Sequence, residues 1–145
     1  AEPVRASTLK AFTQKFSAVG FQHHSHLPTY GMAETTLIVT AGPATREPVI
    51  RYFDGRNLAA RNVAPTDSTD PNARALVGCG VTSPNERVVI VDTETHRTLP
   101  EDQIGEIWIQ SPSVGAGYWE KPEVSAQIFS AMTADGQGPF LRTGD

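Results

Sequence analysis

The sequence predicts a β-rich α/β fold in which one amphipathic helix is followed by a series of short strands. Apolar residues recur at helical spacing within the first twenty residues. Beyond them, short β-branched and aromatic runs alternate with turn residues, and the chain contains 12 glycines and 11 prolines. With 145 residues, 39% hydrophobic and 19% charged, it has the length and composition of a globular domain with an ordinary core.

Bulk properties exclude several classes of function. The net charge is -4 and no run of lysine or arginine occurs, which argues against a nucleic-acid surface. No apolar run approaches the ~20 residues that span a bilayer, and the N-terminus lacks a signal-peptide pattern. One cysteine, Cys79, excludes an internal disulfide and fits a reducing compartment. We therefore expect a cytoplasmic protein without a membrane span.

The N-terminal segment is predicted to be helical, with Ser7 as its N-cap and Gly20 as the residue that ends it. Its apolar face consists of Leu9, Phe12, Phe16 and Val19. We expect an extended segment over 21–27. Residues 36–40 are β-branched enough to form a buried strand.

A long polar stretch interrupts the β pattern. Residues 49–53 form a strand candidate, and residues 76–80 form the next one. Residues 54–75 between them show neither a helical nor a strand period, so they are predicted to be a surface loop. Loops of that length in a compact domain are usually functional or disordered.

The β pattern resumes in the last third of the chain. Strands over 87–91 and 105–110 are predicted to pair through a turn-rich hairpin connection, 92–103. A loop follows at 115–119, a short helix begins with Pro122 at its first position, and a last strand begins at Phe140. The hairpin-rich pattern indicates an antiparallel, barrel-like unit attached to the end of a different α/β unit.

Two short motifs contain residues suited to binding ATP. Tyr30 offers an aromatic ring for adenine, and Gly31 allows close approach of the backbone. Glu34 offers an oxygen ligand for magnesium, which neutralises charge as pyrophosphate leaves. Asp145, in Thr143-Gly144-Asp145, can accept hydrogen bonds from two ribose hydroxyls. Considered singly, these residues also have simpler interpretations: Tyr30 as a tyrosine in a turn, Glu34 as a solvated acid and Asp145 as part of a frayed chain end.

The ordered set of motifs resembles the adenylate-forming (acyl-activating) superfamily, and it covers the chain from end to end. The motifs are the Tyr-Gly-x-Ala-Glu of Tyr30 to Glu34, the Gly-Glu-Ile-Trp of Gly105 to Trp108, the Gly-Tyr-Trp of Gly117 to Trp119 and the Thr-Gly-Asp of Thr143 to Asp145. Two features are similar to the fatty acyl-AMP ligase branch. These are Ala33, where many members have threonine, and the polar stretch between Val49 and Gly80.

The resemblance implies a role for each matching site residue. Glu34 would be the catalytic residue and the magnesium ligand. The implied nucleotide-binding residues are Ala1 and Glu2, which match the tail of the family's adenine loop, together with Tyr30, Gly31, Met32, Ala33 and Asp145. In this interpretation Tyr30 contacts adenine and Asp145 binds ribose.

The resemblance also implies a domain organisation. Residues 1–41 would form the C-terminal part of an α/β AMP-binding subdomain, and residues 42–145 a distorted antiparallel β-barrel subdomain. A branch-specific insertion would occupy roughly 48–80 and restrain the small C-terminal domain of the family, which disfavours coenzyme A as acceptor. The family's phosphate loop and C-terminal lysine have no counterpart in this sequence, so we expect a fragment that is inactive alone.

The implied activity converts a fatty acid and ATP, with magnesium, into acyl-AMP and pyrophosphate. The acyl group would then pass to the phosphopantetheine of an acyl carrier protein or a polyketide synthase module, in concert with the remainder of the enzyme. Three alternatives stay open: an acyl-CoA ligase, an amino-acid adenylation domain of the same fold, and a non-enzymatic β-rich binding module.

Other conspicuous residues have simpler interpretations. On an extended segment His24 and His26 would share one face and His23 would not, so the three histidines do not favour a metal site. A location of one or two of them near the acyl or nucleotide pocket is an alternative. Cys79 lacks a neighbouring base motif and is interpreted as a structural thiol. The remaining residues of interest are expected to be packing tryptophans, Trp108 and Trp119, and solvated loop acids, Asp67, Asp70 and Glu94.

Overall fold

A computed structural model describes residues 2–145 of the chain, which group into two compact units. Unit 1 consists of the described residues up to Gly31 together with Ile38–Val81. Unit 2 consists of Met32–Leu37 and Thr82–Asp145. Unit 2 therefore joins the short segment that contains Glu34 to the C-terminal part of the chain.

The first helix of unit 1, α1, spans Ala6–Phe16, and a 3-10 turn, Ser17–Val19, extends it. Gly20 ends the helical segment in a left-handed conformation (φ 90°), as predicted. The predicted N-cap is wrong: Arg5 precedes the helix in an extended conformation, and Ser7 is already helical. The carbonyl of Arg5 accepts hydrogen bonds from the N–H groups of Thr8 and Leu9, so the helix starts two residues earlier than predicted.

The segment after α1 is not extended, because His23–Ser25 forms a 3-10 turn. This turn brings His23 and His26 together, with ring centroids 5.5 Å apart, whereas the sequence predicted a shared face for His24 and His26. The hydroxyl of Thr13 lies 3.1 Å from His23 Nδ1 and 2.9 Å from His26 Nε2. The two histidines therefore attach the turn to α1.

Two small sheets are formed by the next five strands. The strands are β1 (Thr29–Met32), β2 (Leu37–Ala41), β3 (Ile50–Asp54), β4 (Ala73–Val77) and β5 (Val81–Thr82). β1, β2 and β5 form one sheet with β2 in the centre, and β3 pairs with β4 in antiparallel register. The prediction of a buried strand over 36–40 is partly wrong: Val39 is buried, but Leu37 and Ile38 are 66% and 54% exposed.

The polar stretch contains more regular structure than predicted. Helix α2 spans Gly55–Ala59, directly after β3, and β4 begins at Ala73 instead of Leu76. Asp54 is the N-cap of α2, since its Oδ1 accepts hydrogen bonds from the N–H groups of Arg56 and Asn57 at 2.8 Å each. A five-residue helix is too short to show a hydrophobic period, and for that reason the sequence pattern missed it.

Unit 2 is built on an antiparallel sheet in which β7 (Glu106–Gln110) lies between β6 (Arg87–Val91) and β8 (Leu141–Arg142). Helix α3, Pro122–Phe129, has proline at its start, as predicted. Val91, Trp108 and Phe140 form a fully buried cluster, and Ile109 and Leu141 of the same sheet are buried as well. Trp108 is therefore a packing residue, but the same prediction for Trp119 is wrong, because that side chain is 88% exposed.

The β-rich α/β class is confirmed. The strands of residues 2–145 form three separate sheets of three, two and three strands. Closure of a distorted barrel and a subdomain boundary between residues 41 and 42 stay predictions. Within residues 2–145, every helix is too short or too polar to cross a membrane.

Candidate functional site

Glu34 lies on a short turn that a buried threonine fixes. After β1 the chain makes a 3-10 turn, Ala33–Thr35, which ends at Thr36 in a left-handed conformation (φ 60°). Thr35 is 1% exposed, and its hydroxyl donates a hydrogen bond to the carbonyl of Met32 at 2.9 Å. Because Thr35 points into the protein, Glu34 is left partly exposed at the surface.

The Glu34 turn is attached to the loop that contains the Gly-Tyr-Trp motif. Tyr118 donates its phenolic O–H to Glu34 Oε1 at 2.7 Å. The N–H of Gly115 donates to the carbonyl of Glu34 at 2.8 Å, and the hydroxyl of Thr36 donates to the carbonyl of Ser113 at 2.9 Å. The hydrogen bond to Glu34, together with burial and the carboxylate charge, raises the pKa of Tyr118. Three hydrogen bonds thus connect segments about eighty residues apart in the chain.

Tyr118 is itself held by α3. The edge of its ring meets the ring of Phe129, with centroids 5.1 Å apart and planes at 80°. Its backbone N–H donates to Ser125 Oγ at 2.8 Å. Gly117 has φ 141°, and a Cβ atom at this position would lie 2.7 Å from Ser125 Oγ. A glycine is therefore required for the loop to approach the helix this closely.

The Thr-Gly-Asp motif is bound along β7, so the interpretation of Asp145 as a frayed end is not supported. The hydroxyl of Thr143 donates to the carbonyl of Ile107 at 2.8 Å. The N–H of Ile107 donates to the carbonyl of Asp145 at 3.1 Å, and the N–H of Asp145 donates to Thr143 Oγ1 at 3.1 Å. The backbone of Asp145 is thereby fixed, while the residue remains exposed.

A buried carboxylate supports this end of the chain. Glu106 is 6% exposed and forms an ion pair with Arg142, Oε2 to Nη2, at 2.9 Å. Its Oε1 accepts the N–H of Gly144 at 3.1 Å. Burial alone would raise the pKa of Glu106, but its neighbours outweigh burial and lower the pKa, with the hydrogen bond from Arg142 as the largest contribution and the N–H of Gly144 and the charge of Arg142 among the smaller ones. Glu106 therefore remains charged and couples β8 and the Thr-Gly-Asp turn to β7.

Sequence reasoning missed the roles of Tyr118 and Glu106, which it noted only as members of the Gly-Tyr-Trp and Gly-Glu-Ile-Trp motifs. For Glu106 a signal was available, because in a strand residues two apart share a face, and Trp108 was predicted to be buried. A carboxylate on that face needs a cationic partner, and Arg142 is the cation of the paired strand. For Tyr118 no local signal exists, since its partner Glu34 is distant in the sequence.

The predicted nucleotide-binding residues are distributed over both units. Tyr30 and Gly31, in β1, belong to unit 1, as does Glu2, which is exposed. Unit 2 contains Met32, Ala33, Glu34 and Asp145. Ala1 lies outside the described residues. Convergence of Tyr30 with the two acids around one nucleotide therefore stays a prediction.

The donor set around Glu34 fits magnesium. One carboxylate oxygen accepts from Tyr118, and the carboxylate is a hard oxygen ligand at a partly exposed position. Magnesium usually binds one or two carboxylates and completes its shell with water and substrate phosphates. No group of three or more histidine, cysteine, aspartate or glutamate side chains with metal-site spacing occurs within residues 2–145. A cation shared between Glu34 and a nucleotide is compatible with both observations.

The cysteine and two of the loop acids have structural instead of catalytic surroundings. Burial raises the pKa of the half-buried Cys79 thiol, which lowers its reactivity as a nucleophile. Asp67 accepts the N–H and hydroxyl of Thr69, and Asp70 accepts the N–H of Asn72 at 2.6 Å. Asp67 and Asp70 thus stabilise turns instead of being merely solvated, and Asp70 is half-buried.

Comparison with known proteins gives matches along the entire chain. The model of the family described as AMP-binding enzyme matches residues 1–119. The long-chain-fatty-acid–AMP ligase FadD32 of Mycolicibacterium smegmatis is 36% identical, over 99% of this chain and 25% of the relative. The medium-chain-fatty-acid–[acyl-carrier-protein] ligase JamA of Moorena producens is 34% identical, over 100% of this chain and 25% of the relative.

The fold of this chain matches part of a solved structure along the whole length of the chain. The fatty acyl-adenylate ligase from L. pneumophila, in complex with acyl adenylate and pyrophosphate, superposes with a TM-score of 0.92 at 37% identity. The match covers 100% of this chain and 25% of that one. This chain thus spans about a quarter of the length of the curated relatives it matches. Because the family model covers most of its residues, the chain belongs to the AMP-binding enzyme family.

Proposed function

We propose that this chain is part of an enzyme that joins a fatty acid to AMP, with ATP as the second substrate and pyrophosphate as the second product. The observation that carries the proposal is the end-to-end similarity to a ligase whose structure contains acyl adenylate and pyrophosphate. The chain covers a quarter of that protein, so the activity is proposed for the complete protein that carries this sequence.

In the proposed mechanism the fatty acid carboxylate attacks the α-phosphorus of ATP in line, and pyrophosphate leaves. The protein contributes positioning and charge stabilisation, without a covalent intermediate. Tyr30 packs against the adenine, Gly31 to Ala33 and the Ala1-Glu2 segment bind the nucleotide, and Asp145 accepts the ribose hydroxyls. Glu34 holds magnesium, which neutralises charge on the phosphates when bound.

The fixed backbone of Asp145 and the fixed turn of Glu34 support these roles. Each acid presents its side chain from a backbone that hydrogen bonds hold in place, which reduces the entropy lost when a ligand binds. In both cases the carboxylate-bearing residue is at least partly exposed, so solvent and ligand can reach it.

The acceptor of the acyl group is proposed to be the phosphopantetheine of an acyl carrier protein or polyketide synthase module, in the cytoplasm. The name of one relative, the medium-chain-fatty-acid–[acyl-carrier-protein] ligase JamA, includes an acyl carrier protein. The polar stretch, with α2 and β4 at its ends, is the proposed branch insertion of roughly 48–80. We also propose residues 1–41 and 42–145 as parts of two subdomains.

ATP–pyrophosphate exchange by the complete protein tests the proposal. We expect exchange with a fatty acid and none with amino acids, and transfer of the acyl group to a carrier protein in preference to coenzyme A. We expect Glu34→Gln to lower exchange about 100-fold, as loss of roughly 3 kcal/mol of charge stabilisation would. Glu94→Gln, a substitution of an exposed hairpin acid, is the matched control and is expected to have no effect.

The outcomes separate the alternatives. Exchange that depends on an amino acid would identify an amino-acid adenylation domain. Acyl-CoA formation in preference to the carrier-protein product would identify an acyl-CoA ligase. Absence of exchange with every carboxylic acid, together with no affinity for an acyl-AMP analogue, would support a binding module and refute the proposal.

A further inference from the structure

The hydrogen bond between Tyr118 and Glu34 has no role in the mechanism proposed above. The phenolic oxygen of Tyr118 lies 2.7 Å from Glu34 Oε1, within unit 2. A bond from an O–H group to an ionised carboxylate is among the stronger hydrogen bonds in proteins. The question is whether it stabilises the loop alone or also determines the orientation of Glu34.

The phenol is the better-fixed partner. The ring of Tyr118 packs edge-on against Phe129, its N–H is bound by Ser125, and the hydroxyl of Ser125 also donates to the carbonyl of Lys121 at 2.7 Å. The close approach of Gly117 to Ser125 leaves no room for the loop to shift toward α3. The hydroxyl of Tyr118 is therefore held at a defined position relative to α3.

The backbone of Glu34 is fixed, but its side chain has rotatable bonds that the backbone contacts do not restrain. The carbonyl of Glu34 accepts from Gly115, and Thr35 anchors the turn. A glutamate side chain loses substantial rotamer freedom when it is ordered. The bond from Tyr118 selects one orientation of the carboxylate, with Oε1 as the acceptor.

We propose that Tyr118 is a positioning residue that orients Glu34 for binding the magnesium–nucleotide complex. This inference depends on the proposed function, in which Glu34 holds magnesium. The phenol occupies one carboxylate oxygen and leaves the other as the ligand. Carboxylate ligands are commonly hydrogen-bonded in this way, and loss of such a partner typically lowers metal affinity about 10- to 100-fold.

The test is calorimetric binding of a non-hydrolysable ATP analogue to the complete protein, with magnesium and, separately, with a chelator. The ratio of the two affinities measures the contribution of the cation. Tyr118→Phe keeps the ring that packs on Phe129 and removes the donor, and we expect it to lower the ratio about 10-fold. Binding without magnesium should not change.

Two further variants make the result specific. Tyr52→Phe is the matched control, since Tyr52 is 37% exposed, as compared with 38% for Tyr118, and lies in β3 of unit 1. Its affinity ratio should equal that of the wild type. Glu34→Gln should remove most of the magnesium contribution, and Tyr118→Phe added to Glu34→Gln should have little further effect, because both act through one carboxylate.

Each outcome bears on a definite claim. If Glu34→Gln lowers the ratio and Tyr118→Phe does not, the role of Tyr118 is refuted while the proposed function stands. If Tyr118→Phe weakens binding equally with and without magnesium, Tyr118 supports the loop alone and the inference is overturned. If Glu34→Gln leaves the ratio unchanged, the magnesium role of Glu34 fails, and the inference about Tyr118 fails with it.

Discussion

Glu106 provides the most quantitative prediction of the structure. Its buried carboxylate accepts from the Arg142 guanidinium at 2.9 Å and from the Gly144 N–H at 3.1 Å. The side chain of Arg142 also lies over the ring of Trp108, 5.5 Å from its centroid. Glu106→Gln preserves the shape of the side chain but removes its charge and replaces one acceptor oxygen by a donor. The substitution therefore leaves either Arg142 or Gly144 facing an N–H₂ group.

The expected loss follows from these contacts. A hydrogen bond to a charged group contributes about 1.5–3 kcal/mol, and a neutral one about 0.5–1.5 kcal/mol. Breaking a fully buried ion pair costs about 3–5 kcal/mol, but Arg142 is 31% exposed, so water partly replaces its partner. We therefore expect the free energy of local opening around the Thr-Gly-Asp turn to fall by about 2 kcal/mol.

Native-state hydrogen exchange of the complete protein measures this quantity locally. In the peptide that covers 139–145, a loss of about 2 kcal/mol corresponds to roughly 30-fold faster exchange. Glu94→Gln, at an exposed hairpin position, is the control and should exchange at the wild-type rate. Exchange of Glu106→Gln within twofold of the wild type would refute the conclusion that the buried carboxylate holds this turn on β7.

Three further predictions follow from the same contacts. Because the folded-state pKa of Glu106 is lowered, the stabilisation that its charged form gives the folded protein is present above the unfolded-state pKa of about 4.3 and is lost as the pH falls through the folded-state pKa. The difference in exchange rate between the wild type and Glu106→Gln should therefore disappear in acid. A difference that persists in acid would contradict the ion pair. Gly117→Ala introduces both an unfavourable φ and a clash with Ser125, whereas Gly136→Ala, at φ 79° and with open space around it, introduces the unfavourable φ alone. Thermal unfolding should therefore show a larger loss in the free energy of unfolding for Gly117→Ala, by at least about 1 kcal/mol. Equal losses for the two variants would contradict the close approach of Gly117 to Ser125. Burial raises the pKa of Cys79, so less thiolate is present at neutral pH in the folded protein than in the unfolded chain. Alkylation of Cys79 should therefore be several-fold slower in the native protein than in denaturant. Equal rates would show that the thiol is accessible in the native protein.

The sequence was most informative where local pattern and tertiary structure agree. The strand over 87–91 was predicted with its observed bounds, and the partner strand within one residue, because β-branched runs and a turn-rich connection are local signals. Helix α3 was recognised from Pro122, whose fixed φ suits a helix start. The family motifs were likewise readable from sequence.

The errors occurred where distant side chains decide local structure. Residues 23–25 turn because His23 and His26 share the hydroxyl of Thr13, ten or more residues away. The exposure of Trp119 cannot be derived from a residue type that is usually buried. The bond between Tyr118 and Glu34 joins residues 84 positions apart and has no periodic signal. Contacts between residues so far apart in the chain are visible in the three-dimensional structure but cannot be predicted from the spacing of residues in the sequence.

The central claim is that Tyr30, Glu34 and Asp145 surround a single nucleotide. A crystal structure of the complete protein with a non-hydrolysable acyl-adenylate analogue and magnesium tests it most directly. We predict the Tyr30 ring stacked on adenine, both ribose hydroxyls donating to the Asp145 carboxylate, and the Glu34 carboxylate beside the phosphate. An analogue bound with its ribose away from Asp145 and its adenine away from Tyr30 would contradict the account.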